Sequence, residues 1–131
     1  MGAWGHRSFE NDAAADWVAE LEESADLSAV DAALGVVVGA DDEYLESPDC
    51  CNALAAAEVV AALLGHPAAD LPAAVSSWGK GKPHPAPAMV QKTKSAIDFI
   101  LANSELRDLW AESDDFDHWV TSVNELRVRL G

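Results

Sequence analysis

This chain has little of what builds most secreted, membrane-bound or nucleic-acid-binding proteins. It holds two cysteines in 131 residues, Cys50 and Cys51, and they are neighbours. Adjacent cysteines rarely bridge one another, so a disulfide framework is excluded and a reducing, cytoplasmic compartment is expected. Basic residues are almost missing from the first seventy positions, where Arg7 stands alone. Phosphate binding needs clusters of Lys and Arg, so repulsion of nucleic acid and anionic membranes is the expected consequence, and neither is expected as a partner. No uncharged run approaches the eighteen or so apolar residues that span a bilayer. The opening also lacks the basic and apolar regions of a signal peptide. Gly2 is present, but His6 stands where a myristoylation signal needs Ser or Thr. Tyrosine occurs once and phenylalanine three times, which leaves the core to Ala, Leu, Val and five tryptophans.

What is present reads as one helical domain spanning 1–131. Half of the residues are hydrophobic, and the length suffices for a core. Alanine dominates the apolar set; it favours helix and lets helices pack closely. No run alternates like a strand and no internal repeat is visible. The expected fold is therefore all-α, a bundle of about six or seven short-to-medium helices.

Apolar spacing and caps place these helices. The first is predicted over 12–23, with Asn11 or Asp12 as N-cap. Its face Ala14, Trp17, Val18 and Leu21 opposes Asp12, Asp16, Glu20 and Glu23. Phe9 precedes the cap in the place of a hydrophobic staple. A second helix is predicted over 29–38, begun by Ser28 and stopped by Gly39. An acidic connector, 41–46, leads to Ser47-Pro48, a cap followed by proline at the first helical position. The third helix runs to Leu64, with Gly65 and Pro67 beyond it. Its arc of Ala56, Val59, Val60, Leu63 and Leu64 marks the central helix of the core. A brief fourth helix opens at Asp70-Leu71-Pro72 and ends at Gly79. A loop rich in proline and glycine is predicted over 79–88. The fifth helix follows to about Ala102, with Val90, Ile97, Ile100 and Leu101 facing inward. Ser104 caps a short sixth helix carrying Leu106, Leu109 and Trp110. The last helix begins near Asp114 or Asp115, and Phe116, Trp119, Val120, Val123, Leu126 and Leu130 form its apolar stripe.

The opening segment is unusual in its own right. Met1, Gly2, Trp4, Gly5, Phe9, Asn11, Asp12, Asp16 and Trp17 crowd two tryptophans, a phenylalanine and two glycines ahead of and into the first helix. Aromatic residues are costly to leave in water, so residues 1–11 are expected to dock, with Trp4, Phe9 and Trp17 as the apolar side. This pattern resembles the start of the small bacterial proteins grouped as domain-of-unknown-function family 4259 (DUF4259). A second similar patch is Ala53-Leu54-Ala55-Ala56-Ala57-Glu58, running on to Leu64-Gly65. The resemblance implies a compact helical cytoplasmic protein. It carries over no reaction and no catalytic residue.

Several constellations could carry chemistry. Asp12 and Asp16 lie one helical turn apart with no lysine or arginine to relieve them. Glu58 sits within an apolar helix, and if the first and third helices pack together it could join them as oxygen ligands for a divalent metal. Against this, Asp12 and Asp16 suit the positive end of a helix. Glu58 shares a side with Ala55, Ala62 and Gly65, read as surface, and the di-iron Glu-Xaa-Xaa-His signature is missing. Cys50 and Cys51 begin the third helix while His66 follows its end, roughly 24 Å away at about 1.5 Å per residue, so they cannot share a zinc ion. His6, His84 and His118 each lie in a different segment and read as structural or solvent histidines. A thiolate at a helix start is opposed by Glu43, Glu46 and Asp49. Gly79-Lys80-Gly81-Lys82 is not a phosphate loop, because Ser76 replaces its first glycine and Pro83 its hydroxyl residue. Asp114, Asp115 and Asp117 read as helix-start acids rather than a calcium loop.

The charge distribution points to function more directly. Residues 1–70 hold fifteen acids against Arg7, a net of −14, while residues 71–131 hold eight acids and seven bases, a net of −1. The reading carried forward is a non-enzymatic interaction protein, with no cofactor. Its acidic first half would meet a basic partner, as an immunity or antitoxin protein meets a nuclease, through Glu10, Asp12, Asp16, Glu20 and Glu23. The alternative is a metal-dependent hydrolase or metal-binding regulator using Asp12, Asp16 and Glu58. The bland alternative is acidity that serves solubility, or adaptation to high salt.

Overall fold

A computed structural model describes residues 8–40 and 44–131. Among these residues the chain is helical without a strand: α1 Asp12–Glu22, α2 Ser28–Val38, α3 Ser47–Leu63, α4 Ala73–Gly79, α5 Pro87–Ala102, α6 Glu105–Ala111 and α7 Phe116–Arg129. The all-α expectation holds. The first-helix cap is Asn11, whose side-chain oxygen accepts from the Ala14 N–H at 2.8 Å. Ser104 caps α6 by accepting from the Arg107 N–H at 3.0 Å. Each satisfies a donor that the helix itself leaves open.

Other boundaries depart from the local reading, and one is closed by a partner distant in sequence. Ser28 is the first residue of α2 rather than its cap; the Asp26 carboxylate accepts from its N–H at 2.9 Å. Ser47 likewise lies inside α3, and its N–H donates to Glu105 Oε1 at 2.8 Å. Glu105 in turn donates its own N–H to the Leu45 carbonyl at 2.8 Å. The start of α3 and the start of α6 thus cap each other. Helix α4 begins after Pro72 rather than at Asp70, and the connection before α5 shortens to 80–86 because Gly79 and Pro87 are helical. Proline is tolerated in the first turn of α5, where its missing N–H has no intrahelical role.

Helix α3 contacts every other described helix. From Cys50 to Ala61 its residues are buried, apart from the half-buried Asn52. A helix with no solvent face shows no amphipathic stripe, and α3 is accordingly apolar around its circumference. Ala53, Ala55, Ala56, Ala57 and Ala61 supply that burial with small side chains, which permits neighbours to approach closely from several sides. The helix ends in a left-handed Gly65 (φ 92°), with the His66 N–H on the Ala61 carbonyl at 2.9 Å and the Gly65 N–H on Ala62 at 3.0 Å. This paired closure needs a residue that tolerates positive φ.

The core faces of the outer helices follow the apolar spacing. Ala14, Trp17 and Leu21 of α1, and Trp119, Val123 and Leu126 of α7, are buried with Leu130. On α5 the inward set includes Thr93 and Ala96 with Ile97 and Ile100, whereas Val90 and Leu101 are only half-buried. Thr93 satisfies its hydroxyl on the Met89 carbonyl at 2.7 Å, which lets a polar residue sit in the core. Leu109 is also half-buried, and Phe9 packs partly against the core. Trp78 joins α4 to the end of α1 by donating its indole N–H to the Ser24 carbonyl at 2.8 Å. Ala56 is fully enclosed. Substituting Ala56→Leu should therefore overpack the bundle and cost about 1–3 kcal/mol in chemical denaturation, whereas exposed Ala19→Leu should leave the midpoint nearly unchanged.

Candidate functional site

The acidic face of α1 is laid out as the helical period requires. Asp12, Asp16, Glu20 and Glu23 are all exposed, opposite buried Ala14, Trp17 and Leu21. None of these four acids forms an ion pair among the described residues. Glu10, just before the cap, is half-buried and has an interaction of its own. Cations elsewhere are engaged: Lys92 meets Asp31 at 2.8 Å, and Arg127 holds Asp98 with two bonds of 2.7 and 3.0 Å. That fork depresses the Asp98 carboxyl below its ordinary value. Four of the fifteen acids of the first seventy residues thus face solvent along α1.

Glu58 behaves differently. Its side of α3 is not surface: the residue is 4% exposed, because α7 covers that side of the helix. Arg129, at the end of α7, donates Nη2 to Glu58 Oε1 at 2.7 Å, Nη1 to the His66 carbonyl at 3.2 Å, and Nε to Glu125 at 3.2 Å. His66 Nδ1 donates back to the Arg129 carbonyl at 2.9 Å. Burial pushes the Glu58 carboxyl above its ordinary value, against the pull of Arg129, and the nearby charges of Asp70 and Glu125 add to the rise. Arg129 is the partner that sequence reasoning missed. The only sequence signal was a cation in the last turn of α7, which dipole complementation explains equally well.

Glu58 and Arg129 form part of the wall of a polar cleft of about 290 Å³ between the end of α3 and α7. Ser8 and Phe9 line it from the N-terminal side, Asp70 from the α3–α4 connection, and His118, Thr121, Ser122 and Glu125 from α7. The carboxylates Asp12, Asp16 and Glu58 are not assembled as ligands. Among the described residues no group of three or more His, Cys, Asp or Glu side chains could hold a metal ion. The cysteines are buried and unbridged, and burial raises the thiols of Cys50 and Cys51 to about 12 and about 11. They stay protonated and are poor nucleophiles. His66 lies past the far end of α3 from them. Trp4, placed in the sequence beside Phe9 and Trp17, lies outside the described residues, as do Gly2, Gly5 and His6.

The family model described as Domain of unknown function (DUF4259) matches residues 2–122. The chain belongs to the DUF4259 family. The match takes in the opening segment, all of α1 to α6 and the first half of α7. No curated protein and no solved structure matches this DUF4259 chain. No described helix is long and apolar enough to cross a membrane.

The Glu58–Arg129 pair gives two measurable consequences. Arg129→Met leaves a buried carboxylate without its cation and should lower unfolding free energy by roughly 3–5 kcal/mol in urea titration, with part recovered in the double variant carrying Glu58→Gln. A raised carboxyl means that the folded state holds the proton more tightly than the unfolded chain. Its contribution to stability therefore falls as pH rises above about 4.3, the ordinary glutamate value. Thermal melts across pH should show Glu58→Gln gaining on the parent as pH rises from that value, and the gain levelling off once Glu58 is fully ionised.

Proposed function

We propose that this DUF4259 protein is a non-enzymatic bacterial cytoplasmic protein that docks a basic protein partner through the acidic face of α1. The role is of the kind an immunity or antitoxin protein performs on a nuclease. The observation that carries the reading is the row Asp12, Asp16, Glu20 and Glu23, exposed and without an ion pair among the described residues. Like charges one helical turn apart destabilise a helix by a few tenths of a kcal/mol per pair, and a partner's lysines and arginines would relieve that cost. A concentrated negative field also speeds encounter with a basic surface and disfavours anionic competitors. Two unbridged, buried cysteines suit a reducing compartment.

The test is affinity capture from a bacterial lysate at low ionic strength with the parent and with the triple variant Asp12→Lys, Asp16→Lys, Glu20→Lys. The parent should retain a basic protein that is released as salt rises through about 0.15 M, where charges are screened within about 8 Å. The triple variant should retain none while keeping its helical circular dichroism. Retention of the same protein by the variant, or no retained basic protein at any salt, overturns the reading.

A further inference from the structure

We propose that the apolar groove between the end of α3 and α4 binds a small free carboxylate with an apolar tail, the tail lying along the groove and the carboxylate at Lys80. The proposal is independent of the partner assigned to the acidic face of α1. The groove has a volume of about 240 Å³. Val59, Leu63, Leu71 and Val75 supply most of its apolar wall, and Ser76 and Lys80 are its polar side chains. Leu63 and Leu71 are only half-buried, so the bundle leaves part of their apolar surface in water. An apolar occupant would remove that surface from water.

The groove follows from the way α4 returns across α3. The chain turns through Gly65 and Pro67, and Trp78 fixes α4 by donating to the Ser24 carbonyl at 2.8 Å. Gly79 then presents no side chain to the wall; a Cβ there would lie 3.5 Å from Leu63 Cδ2. Sites for drug-sized molecules run to roughly 300–1,000 Å³, so the occupant of this groove is smaller.

Charge selects the head group. The chain holds 23 acids against eight bases, yet the lining of this groove contains a lysine and, among the described residues, no acid. Asp70, although next to Leu71, lines the polar cleft on the α7 side. The Lys80 side chain is exposed and forms no ion pair or hydrogen bond among the described residues. Lys82, two residues on, is instead held over the Trp78 ring at 4.6 Å. An ammonium donates and never accepts, and the Ser76 hydroxyl adds a second donor. Donors at one end of an apolar groove fit a carboxylate, refuse an amine, and give an alcohol little beyond its apolar contact.

Titration of the methyl-labelled full chain with octanoate, followed by NMR, tests this, with 1-octanol as the uncharged control. Octanoate should shift the Leu63 and Val75 methyl signals, assigned through Leu63→Ile and Val75→Ile, in a saturable way. Lys80→Glu should weaken octanoate by about fivefold or more while leaving 1-octanol affinity unchanged, and Lys80→Arg should keep octanoate binding. Gly79→Ala should weaken both compounds while holding or raising the melting temperature, which separates a narrowed groove from a damaged fold. Unchanged octanoate affinity in either Lys80→Glu or Gly79→Ala overturns the proposal. So do shifts that spare Leu63 and Val75, or the lack of any saturable shift below the concentration at which octanoate forms micelles.

Discussion

The structure depends on the complete enclosure of α3. A helix that touches every other described helix has no face left for solvent, and its surroundings must meet it at short range. Alanine satisfies this condition, because it buries no polar group and leaves no long side chain to hold neighbours apart. Leu54, Val59 and Val60 add apolar bulk on α3, while the outer helices bury Trp17, Leu34, Ile97, Ile100 and Trp119 in the same core. The burial of this one helix orders the rest of the bundle.

Enclosure also determines where polarity is tolerated. The ends of α3 are the places where its backbone groups need outside partners, and both are closed by residues distant in sequence. At the start, Ser47 and Leu45 exchange bonds with Glu105, and Tyr44 bonds Asp108 of α6. At the finish, the turn through Gly65 and His66 is tied to Arg129. Among the described residues Glu58 is the charged residue held inside, and the same Arg129 serves it. A buried ion pair of this kind contributes little net stability compared with an apolar pair, but the loss of one member is costly. The pair also ties the end of α7 to α3 on the wall of the polar cleft.

The molecule separates its charges in a consistent way. The second half is nearly balanced in charge; Arg127 pairs with Asp98 within it, while Arg129 reaches Glu58 of the first half. In the first half, Asp31 borrows Lys92 from α5, and the acids of α1 remain solvated. The sixteen-residue helix α5 thus carries cationic help to α2, while α1 stays acidic. This arrangement leaves the acids of α1 exposed and sets them apart from the polar cleft between α3 and α7.

Local physics made much of this legible in the sequence. The 3.6-residue period identified the helices and the faces of α1 and α7, Ser104 announced the cap of α6, Asn11 stood with Asp12 as a candidate for that of α1, and the asymmetry of charge located the acidic half. These signals are legible because propensity, capping and amphipathicity act over a few neighbouring residues. The helix with no polar face defeated the same logic at Glu58. Placed among alanines, it read as surface, yet α7 folds over it and supplies Arg129 from seventy-one positions away. The cap of α3 by Glu105, the burial of Thr93, and the cleft shared by Ser8, Glu58 and Thr121 are of the same kind. By itself the sequence determined an acidic, all-α chain with a known pattern of local starts and stops. Only tertiary packing decided which charge would be buried and with what partner, because a buried carboxylate is tolerable only where a distant cation meets it.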